Sequence, residues 1–577
     1  MANECFTLKI AGKAGQGVKS SGISFARFAN RSGYHVYTYT EYPSIIKGGH
    51  NVMQINIADW PVSGPSINTQ LLIALNQESV DLHAGELLSD SCLVFDGDDK
   101  FNMDKVAKGV NLCPVPLSRL AKQAGGGELL INTVALGAAA ALMAGDLSKL
   151  KKLNAEEYSD KGSEVILANQ QAVEHGYNFA QQNYQNFIKS VIKPLDNKDT
   201  LNRMIVNGNE AVALAAISAG LQFAAIYPMS PISNILHVLA LHQEKYNYVY
   251  KQPEDELAAI NMSLGASFAG ARAMTATSGG GFCLMSEGYG LAGITETPLV
   301  IIEGMRGGPA TGLPTWSGQG DLRFMLHAHQ DDFFRIVLTP GDAQEAFELT
   351  MQAFNLAEKY QTPVVVLINK DICEGDQSVP VFDTANYQID RGKMTTYLEP
   401  DYKRYKLADD GISPRSIPGV GNFFSANSDE HDEYGLTSED IENRHQQMEK
   451  RMKKIQTCQK EDMHPPQLFG PQEADLTIVS WGSNKGSICQ ALQYFDNVNY
   501  LHLTWVSPFP SEEVKKVLSQ AKKIINIEAN FTMQMRGIIK EQTGFDIKDN
   551  FIKYDGRPFY VEEVIEKIKS VLKEESK

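Results

Sequence analysis

Three short stretches between residues 222 and 323 carry side chains suited to proton and anion chemistry. The first is the carboxylate run Glu254-Asp255-Glu256, since a carboxyl group in a dry pocket keeps and passes a proton more readily than one in water. The second is Arg306, the one charge in the loop 304–315, where a guanidinium beside glycine backbone suits bidentate capture of a carboxylate or phosphate. The third is Tyr227-Pro228-Met229-Ser230-Pro231. Its prolines fix φ and hold Tyr227 and Ser230 extended, so that the Ser230 hydroxyl and nearby backbone groups point in a set direction. Taken singly, each stretch also has a plainer reading: a strand-to-helix connection, helix-end electrostatics, and a surface turn.

Short apolar runs must position these loops. Phe223–Ile226 precedes the proline loop, and Pro298–Glu303 precedes Arg306. Behind Glu256, the residues Leu257, Ile260, Leu264, Phe268 and Ala271 recur at a helical period, and Gly265, Ala266, Ser267 and Gly270 allow close packing. Met274–Thr277 reads as a strand and Ser278-Gly279-Gly280-Gly281 as a loop. Strand Phe334–Leu338, a helix opened by an Asp342-x-x-Glu345 capping box, and strand Pro363–Ile368 follow. Strands alternating with helices over 203–375 predict a mainly parallel α/β sheet.

In order and spacing these motifs resemble the 2-oxoacid:ferredoxin oxidoreductases, a family of thiamine-diphosphate enzymes. Its pyrimidine-binding domain carries a Tyr-Pro-Ile-Thr-Pro loop, a Glu opening a small-residue helix, and an Arg-Gly-Gly-Pro-Ser-Thr-Gly-Leu-Pro-Thr loop. Here these correspond to 227–231, Glu256 and 306–315, with Met229, Ser230 and Ala310 as departures. The resemblance implies that Tyr227, Pro228, Met229, Ser230 and Glu256 contact thiamine diphosphate. It also implies that Glu256 is the acid sharing a proton with the aminopyrimidine N1′. Arg306 is then the second catalytic residue, pairing the C1 carboxylate of the oxoacid, with Ser230 and Thr311 as further substrate contacts.

Residues 1–190 open with a strand, Phe6–Ile10, then Gly12-Lys13-Ala14-Gly15-Gln16-Gly17 and a helix through Phe28. A glycine turn at a helix N-terminus suits an anion, but the order is not that of a dinucleotide fingerprint. Residues 1–60 hold six Lys/Arg against three Asp/Glu, which favours a polyanionic ligand. With Lys47-Gly48-Gly49 the unit resembles the family's gamma subunit, fused ahead of the alpha subunit. That implies coenzyme A contacts at Gly12, Gly15, Gln16, Gly17, Lys47 and Gly48; the rival reading is a purely structural glycine turn. Asp96-Gly97-Asp98-Asp99 imitates a Mg2+ motif but lacks the leading glycine, and reads as a strand-end turn.

Pro194–Asp199 reads as a linker and Leu129–Ala144 as a core helix. Residues 376–470 break into Pro, Gly and acidic stretches, an irregular insert or lid ending in a charged helix from Thr437 to about Gln456. Ser428–Glu433 is read there as a solvated loop rather than a metal cluster. Residues 474–577 restart a βαβ pattern that resembles the transketolase C-terminal-like domain, with Glu528 assigned a structural role. The expected fold is therefore multidomain α/β: a gamma-type domain, a pyrimidine-type thiamine-diphosphate-binding domain and a transketolase C-terminal-like domain.

A net charge of −16 argues against a nucleic-acid surface, no stretch is long enough for a membrane span, and the start lacks a signal-peptide pattern, which predicts a cytoplasmic protein. Seven scattered cysteines without C-x-x-C give no iron–sulfur site, and no Gly-Asp-Gly…Asn motif is present. The resemblance therefore implies a separate beta subunit bringing Mg2+ and a [4Fe-4S] cluster, thiamine diphosphate shared at the interface of an (αβ)2 heterotetramer, and ferredoxin as electron partner. The fused layout and the Tyr-Pro-Met-Ser-Pro variant most resemble 2-oxoglutarate enzymes. The implied reaction is the reversible, coenzyme A-dependent oxidative decarboxylation of 2-oxoglutarate to succinyl-CoA and CO2, which in reverse fixes CO2 in a reductive TCA cycle. A pyruvate or broad-range 2-oxoacid subunit, a non-redox thiamine decarboxylase and a non-catalytic coenzyme A-binding scaffold are the alternatives.

Overall fold

The computed structural model describes residues 5–44, 48–189, 191 and 202–573 of the chain. Lys47 and the expected linker Pro194–Asp199 lie outside the described residues.

Three sheets organise the chain. The central one has the strand order Trp505–Ser507, Ile336–Leu338, Pro363–Asn369, Leu299–Met305, Ala273–Thr277, Phe223–Ala225, Val249–Lys251. Six of these strands are parallel, and Trp505–Ser507 closes one edge antiparallel to Ile336–Leu338. Parallel strands covered on both faces read as continuous apolar runs, and the two faces separate by alternate residues. Val300, Ile302, Val364 and Val366 enter the core shared with helices Gly208–Ser218 and Ala343–Tyr360. Leu299, Ile301, Val365 and Leu367 enter a second core, which contains Ala259, Ile260, Phe282 and Met285 and runs on to Trp481, Leu503 and Ile538 of the C-terminal unit.

The N-terminal sheet has eight strands, ordered Asn111–Val115, Leu87–Asp96, Thr69–Ala74, Phe6–Lys13, His50–Ala58, His35–Glu41, Gln377–Pro380, Arg203–Val206. The last two strands flank the central unit in sequence, so backbone pairing of Gln377 with Tyr37 and Val206 joins the two units. Helix Ile131–Leu142 is buried from Thr133 onward, the core helix its composition predicts. It crosses helix Ser163–Asn183 at a glycine contact: a Cβ on Gly137 would stand 2.0 Å from the Val173 carbonyl oxygen, and one on Gly176 1.9 Å from that of Val134. No single described helix is long and apolar enough to cross a membrane. The C-terminal sheet is ordered Gln467–Phe469, Val498–Leu503, Leu476–Trp481, Ile524–Glu528, Asp549–Ile552.

Local chemistry departs from the sequence pattern in four places. The glycine run after Ser278 is the first turn of helix Gly279–Ile294, not a loop. Asp342 caps its helix by accepting from Glu345 N (2.8 Å), but the Glu345 carboxylate turns to Gly341 N, Lys485 and His502 instead of completing the box. The charged helix spans Ile441–Glu461. The acidic stretch before it is not a solvated loop throughout, because Glu430 pairs with Arg444 and Arg451 and His431 is buried against the Tyr405 ring at 3.9 Å. Asp96, by contrast, ends its strand as expected and accepts from Ser118 N (2.9 Å), while Glu528 accepts from Met535 N and Arg536 N (both 2.9 Å) at a helix start.

The insert is fastened to the central unit through Glu296. This fully buried carboxylate accepts from Lys450 Nζ (2.5 Å) and lies 2.6 Å from Lys454 Nζ, and both ammoniums are themselves buried. Despite its burial, the two ammoniums and Arg404 hold Glu296 well below the usual carboxylate range. Glu296→Gln leaves two buried cations without a counter-charge, which costs about 3–5 kcal/mol; thermal unfolding of the variant should show a clearly lowered midpoint, and an unchanged midpoint would refute this fastening.

Candidate functional site

Loops at the carboxyl ends of neighbouring central strands carry the residues singled out from the sequence. After Phe223–Ala225 the chain turns through Tyr227-Pro228-Met229-Ser230-Pro231. The turn is held by Ile232 N donating to Met229 O (3.0 Å) and Asn209 Nδ2 donating to Pro231 O (2.9 Å). It packs over Gly304, where a Cβ would stand 2.5 Å from Ile232 Cγ2, so the end of strand Leu299–Met305, two places along the sheet, favours glycine. Two residues further on, Arg306 Nη1 donates to the Ser230 carbonyl at 2.9 Å. The loop thus engages Arg306 through backbone, and the Ser230 hydroxyl has no partner among the described residues.

Glu256 opens helix Glu256–Phe268. Its neighbour Asp255 does the capping, accepting from Ala258 N at 2.8 Å, which leaves Glu256 free to turn inward. The helix is tied over strand Ala273–Thr277 by Ser263 Oγ donating to Met274 O (3.0 Å). Glu256 is 3% exposed, and its Oε1 has no partner among the described residues. Gly281 makes room for it: a Cβ there would stand 2.5 Å from Glu256 Oε1 and 2.1 Å from Thr277 Oγ1. Thr277 pairs in register with Glu303, whose two carboxylate oxygens are also buried without a donor, as is the Ser278 hydroxyl. Burial, with Asp321 nearby, pushes the Glu303 carboxyl well above the usual range. Buried polar atoms left without partners cost about 1–3 kcal/mol each, so their concentration at one sheet edge is what a polar ligand's seat requires.

Arg306 begins a loop that closes on itself, with Leu313 N donating to Gly307 O (2.7 Å), and Thr311 is exposed at its tip. The far end of the loop is clasped by the C-terminal unit. Fully buried Gln319 donates from Nε2 to Trp481 O (2.9 Å), accepts at Oε1 from Asn484 Nδ2 (3.0 Å) and Ala529 N (2.8 Å), and donates from its own N–H to Ala529 O (2.9 Å). Ser317 N donates to Gly556 O (2.9 Å), and the Arg557 guanidinium lies 3.6 Å from the Trp316 ring centre. The sequence gives no signal for this, because the partners of Gln319 lie 162 or more residues away.

The N-terminal loops also meet. Ala14 N donates to Gly49 O (3.0 Å), beside Gly48; Gly15 and Gly17 have φ of 90° and 72°, which only glycine adopts freely. The Gln16 side chain folds back to accept from Lys13 N (2.6 Å), and a Cβ on Gly12 would strike its Oε1 at 2.7 Å. One turn along the following helix, Lys19, Ile23 and Arg27 line a cleft of about 420 Å3 whose other walls include Tyr42, Ser230, Pro231 and His237. Glu210, Glu374 and Asp376 line it as well, with Glu210 and Asp376 pushed above the usual carboxylate range by burial. The structure therefore brings Ser230 and Arg306 together, sets Glu256 beside Thr277, the ladder partner of Glu303 on the strand that leads to Arg306, and joins the N-terminal unit to the Ser230 loop across a cleft. The residues missed from sequence are Gly281, Gly304, Glu303, Asp321 and Gln319.

Three family profiles match successive parts of the chain. They are pyruvate ferredoxin/flavodoxin oxidoreductase over residues 7–179, pyruvate flavodoxin/ferredoxin oxidoreductase, thiamine diP-bdg, over 214–450, and pyruvate:ferredoxin oxidoreductase core domain II over 474–564. The chain is 32% identical to the 2-oxoacid:ferredoxin oxidoreductase subunit alpha of Sulfolobus sp, over 98% of this chain and 97% of that one. It is 31% identical, over 63% of this chain and 97% of the other, to the 2-oxoglutarate synthase subunit KorA of Methanothermobacter marburgensis. Among solved structures it superposes on a 2-oxoglutarate:ferredoxin oxidoreductase from Magnetococcus marinus with 2-oxoglutarate, coenzyme A and succinyl-CoA bound. The TM-score is 0.92 at 31% identity, covering 98% of this chain and 99% of that one.

Removing the Gln319 clasp by Gln319→Ala should free the Arg306 loop without unfolding the sheet beneath it. Hydrogen exchange at the amides of Leu313, Trp316 and Ser317 is expected to quicken about tenfold or more while strand Leu299–Met305 stays protected, the signature of local opening.

Proposed function

The chain belongs to the 2-oxoacid:ferredoxin oxidoreductase family as an alpha subunit, and from that premise we propose that it furnishes one side of a thiamine diphosphate pocket and the cation that grips the oxoacid. The observation that carries this reading is the buried, partnerless Glu256 Oε1, for which Gly281 clears the space. A carboxyl group placed so is ready for a ligand nitrogen that shares its proton, as the N1′ atom of an aminopyrimidine does. Tyr227, Pro228, Met229 and Ser230 would line the same seat. When bound, thiamine diphosphate supplies a carbon nucleophile and a sink for the electrons left when CO2 departs.

This chain's own residues then divide the work. Glu256 holds a proton at N1′. Arg306 spends one of its five N–H donors on the Ser230 carbonyl and keeps others for the C1 carboxylate of the oxoacid. The Ser230 hydroxyl is a second donor within that loop, and Thr311, at the exposed tip, reaches substrate only if the loop folds inward on binding. Coenzyme A is assigned to Gly12, Gly15, Gln16, Gly17, Lys47 and Gly48, and the cleft lined by Lys19, Arg27 and Ser230 favours that assignment, its cations meeting the ligand's phosphates.

A separate beta subunit completes the enzyme in this proposal. It brings Mg2+ and a [4Fe-4S] cluster, forms an (αβ)2 heterotetramer and passes electrons to ferredoxin in the cytoplasm. Leu257, Met262 and Leu284 are exposed on the two helices that flank Glu256, which favours a partner covering that face. The substrate we assign is 2-oxoglutarate, converted reversibly to succinyl-CoA and CO2, as the names of the relatives from Methanothermobacter marburgensis and Magnetococcus marinus favour. A broad 2-oxoacid range, as the name of the Sulfolobus relative has it, is the runner-up.

Reduction of ferredoxin or a viologen dye by the purified complex, across several 2-oxoacids with coenzyme A, tests the reading; faster oxidation of pyruvate than of 2-oxoglutarate would defeat the assignment. Glu256→Gln is expected to lower decarboxylation at least about a hundredfold with assembly intact, the low end for a lost proton-transfer group. Arg306→Ala is expected chiefly to raise the oxoacid KM, and an unchanged KM would count against carboxylate capture.

A further inference from the structure

Strand Leu299–Met305 is apolar except at Glu303, which is fully buried. Its neighbours across the ladders are Thr277 and Leu367, and neither of its oxygens receives a hydrogen bond from a donor among the described residues. The polar group at hydrogen-bonding range is another acid, Asp321, and the cation acting on both is Arg306, with the Cys283 and Cys373 thiols also in the surroundings of Glu303. Asp321 lies against the start of helix Gly279–Ile294, where a Cβ on Gly279 would stand 2.6 Å from its Oδ2. Glu256 Oε1 and Thr277 Oγ1 both lie beside Gly281, in the first turn of the same helix.

Carboxylates only accept hydrogen bonds, so two of them in contact are satisfied only when one carries a proton. In a dry site, two adjacent carboxyls do not both ionise. The helix N-terminus favours the negative charge on Asp321 and leaves the proton with Glu303. We propose that Glu303 and Asp321 form an acid–carboxylate pair sharing one proton and one negative charge, and that this pair is the counter-ion holding the Arg306 guanidinium against the Ser230 carbonyl. Both are positioning residues for oxoacid binding, acting through Arg306; this rests on the role proposed for Arg306 above. One negative charge balances Arg306 and keeps it in place. A second, appearing when the shared proton leaves as pH rises, competes with the oxoacid carboxylate for the same guanidinium and repels the incoming anion.

The test uses the complex assembled with its partner subunit. The infrared difference spectrum between wild type and Glu303→Gln at neutral pH should show the carbonyl band of one buried, protonated carboxyl lost in the variant. In thermal unfolding, the folded protein keeps a proton that the unfolded chain releases at about 4.5. The wild type therefore loses stability relative to Glu303→Gln as pH rises above that value, and the variant's advantage should grow toward alkaline pH. In kinetics, the oxoacid KM of the wild type should rise as pH rises through the loss of the shared proton, and Glu303→Gln should remove that limb. Asp321→Asn should raise KM about tenfold, as for one lost charge-assisted contact, with a far smaller change in kcat. No lost carboxyl band, together with a wild-type pH profile of KM in Glu303→Gln, overturns the pair. A complex that oxidises no 2-oxoacid overturns the functional reading instead, while the infrared and unfolding measurements still decide whether the pair exists.

Discussion

Parallel strands all end at one edge, and the candidate site depends on that constraint. Because six strands of the central sheet run the same way, the turns after Ala225, Lys251, Thr277 and Met305 emerge side by side. Residues remote in sequence then meet without any long excursion of the chain. Helix Glu256–Phe268 starts beyond the edge strand Val249–Lys251 yet lies back across Ala273–Thr277, to which Ser263 ties it. That return brings Glu256 from the edge of the sheet toward its middle, beside the strand that leads to Arg306. Crevices outside the carboxyl ends of such strands are where α/β sheets bind ligands.

The buried acids divide into two groups, and the division separates structure from chemistry. Glu296 has two ammoniums, Glu358 is shared among Arg272, Arg391 and Arg415, and Glu528 accepts two backbone N–H groups and an asparagine. Each is a filled site, and removing one partner would strand the other in low dielectric. Glu256 and Glu303 are as deeply buried, yet they keep oxygens that nothing in the described chain satisfies. Selection for stability alone would supply donors or remove these carboxylates, as it has done elsewhere in the same molecule. Their position at the carboxyl edge of the central sheet is the physical ground for reading that edge functionally.

Much of this was legible from residue types. The prolines at 228 and 231 and the loop of Arg306 were placed at strand ends by the apolar runs before them, the acidic run at 254–256 was placed at the opening of a helix by its apolar period, and the sheet was expected to be mainly parallel. What the pattern could not give was the direction of individual polar groups. Ser230 was expected to present its hydroxyl and nearby backbone groups in a set direction, and the pattern could not say that its carbonyl is the group that accepts from Arg306. Gly279-Gly280-Gly281 was expected as a loop because glycine has poor helix propensity; tertiary packing overrode it, since only a residue without Cβ at 281 leaves space for Glu256. Ser428–Glu433 was expected in solvent because acidic residues in sequence mark exposed loops, but two arginines from the following helix turn Glu430 inward. Gln319 had no signal at all, as its partners come from another sheet.

The clasp at Gln319 answers a difficulty that the glycines of the Arg306 loop create. Glycine backbone fits closely around a small ligand, but it also has the most conformational freedom to lose, and a loop of residues 304–312 left to itself would hold Arg306 in many positions. A guanidinium that must be ordered at the moment of binding loses affinity to that ordering. Here the ordering is done in advance: the Ser230 carbonyl fixes one end of the loop, while Gln319, Ser317 and the Trp316–Arg557 contact fix the other. The C-terminal unit is therefore not a bystander packed behind the site. By anchoring the loop from outside, it fixes the backbone that carries Arg306 before any ligand arrives, which is the arrangement a preorganised carboxylate site requires.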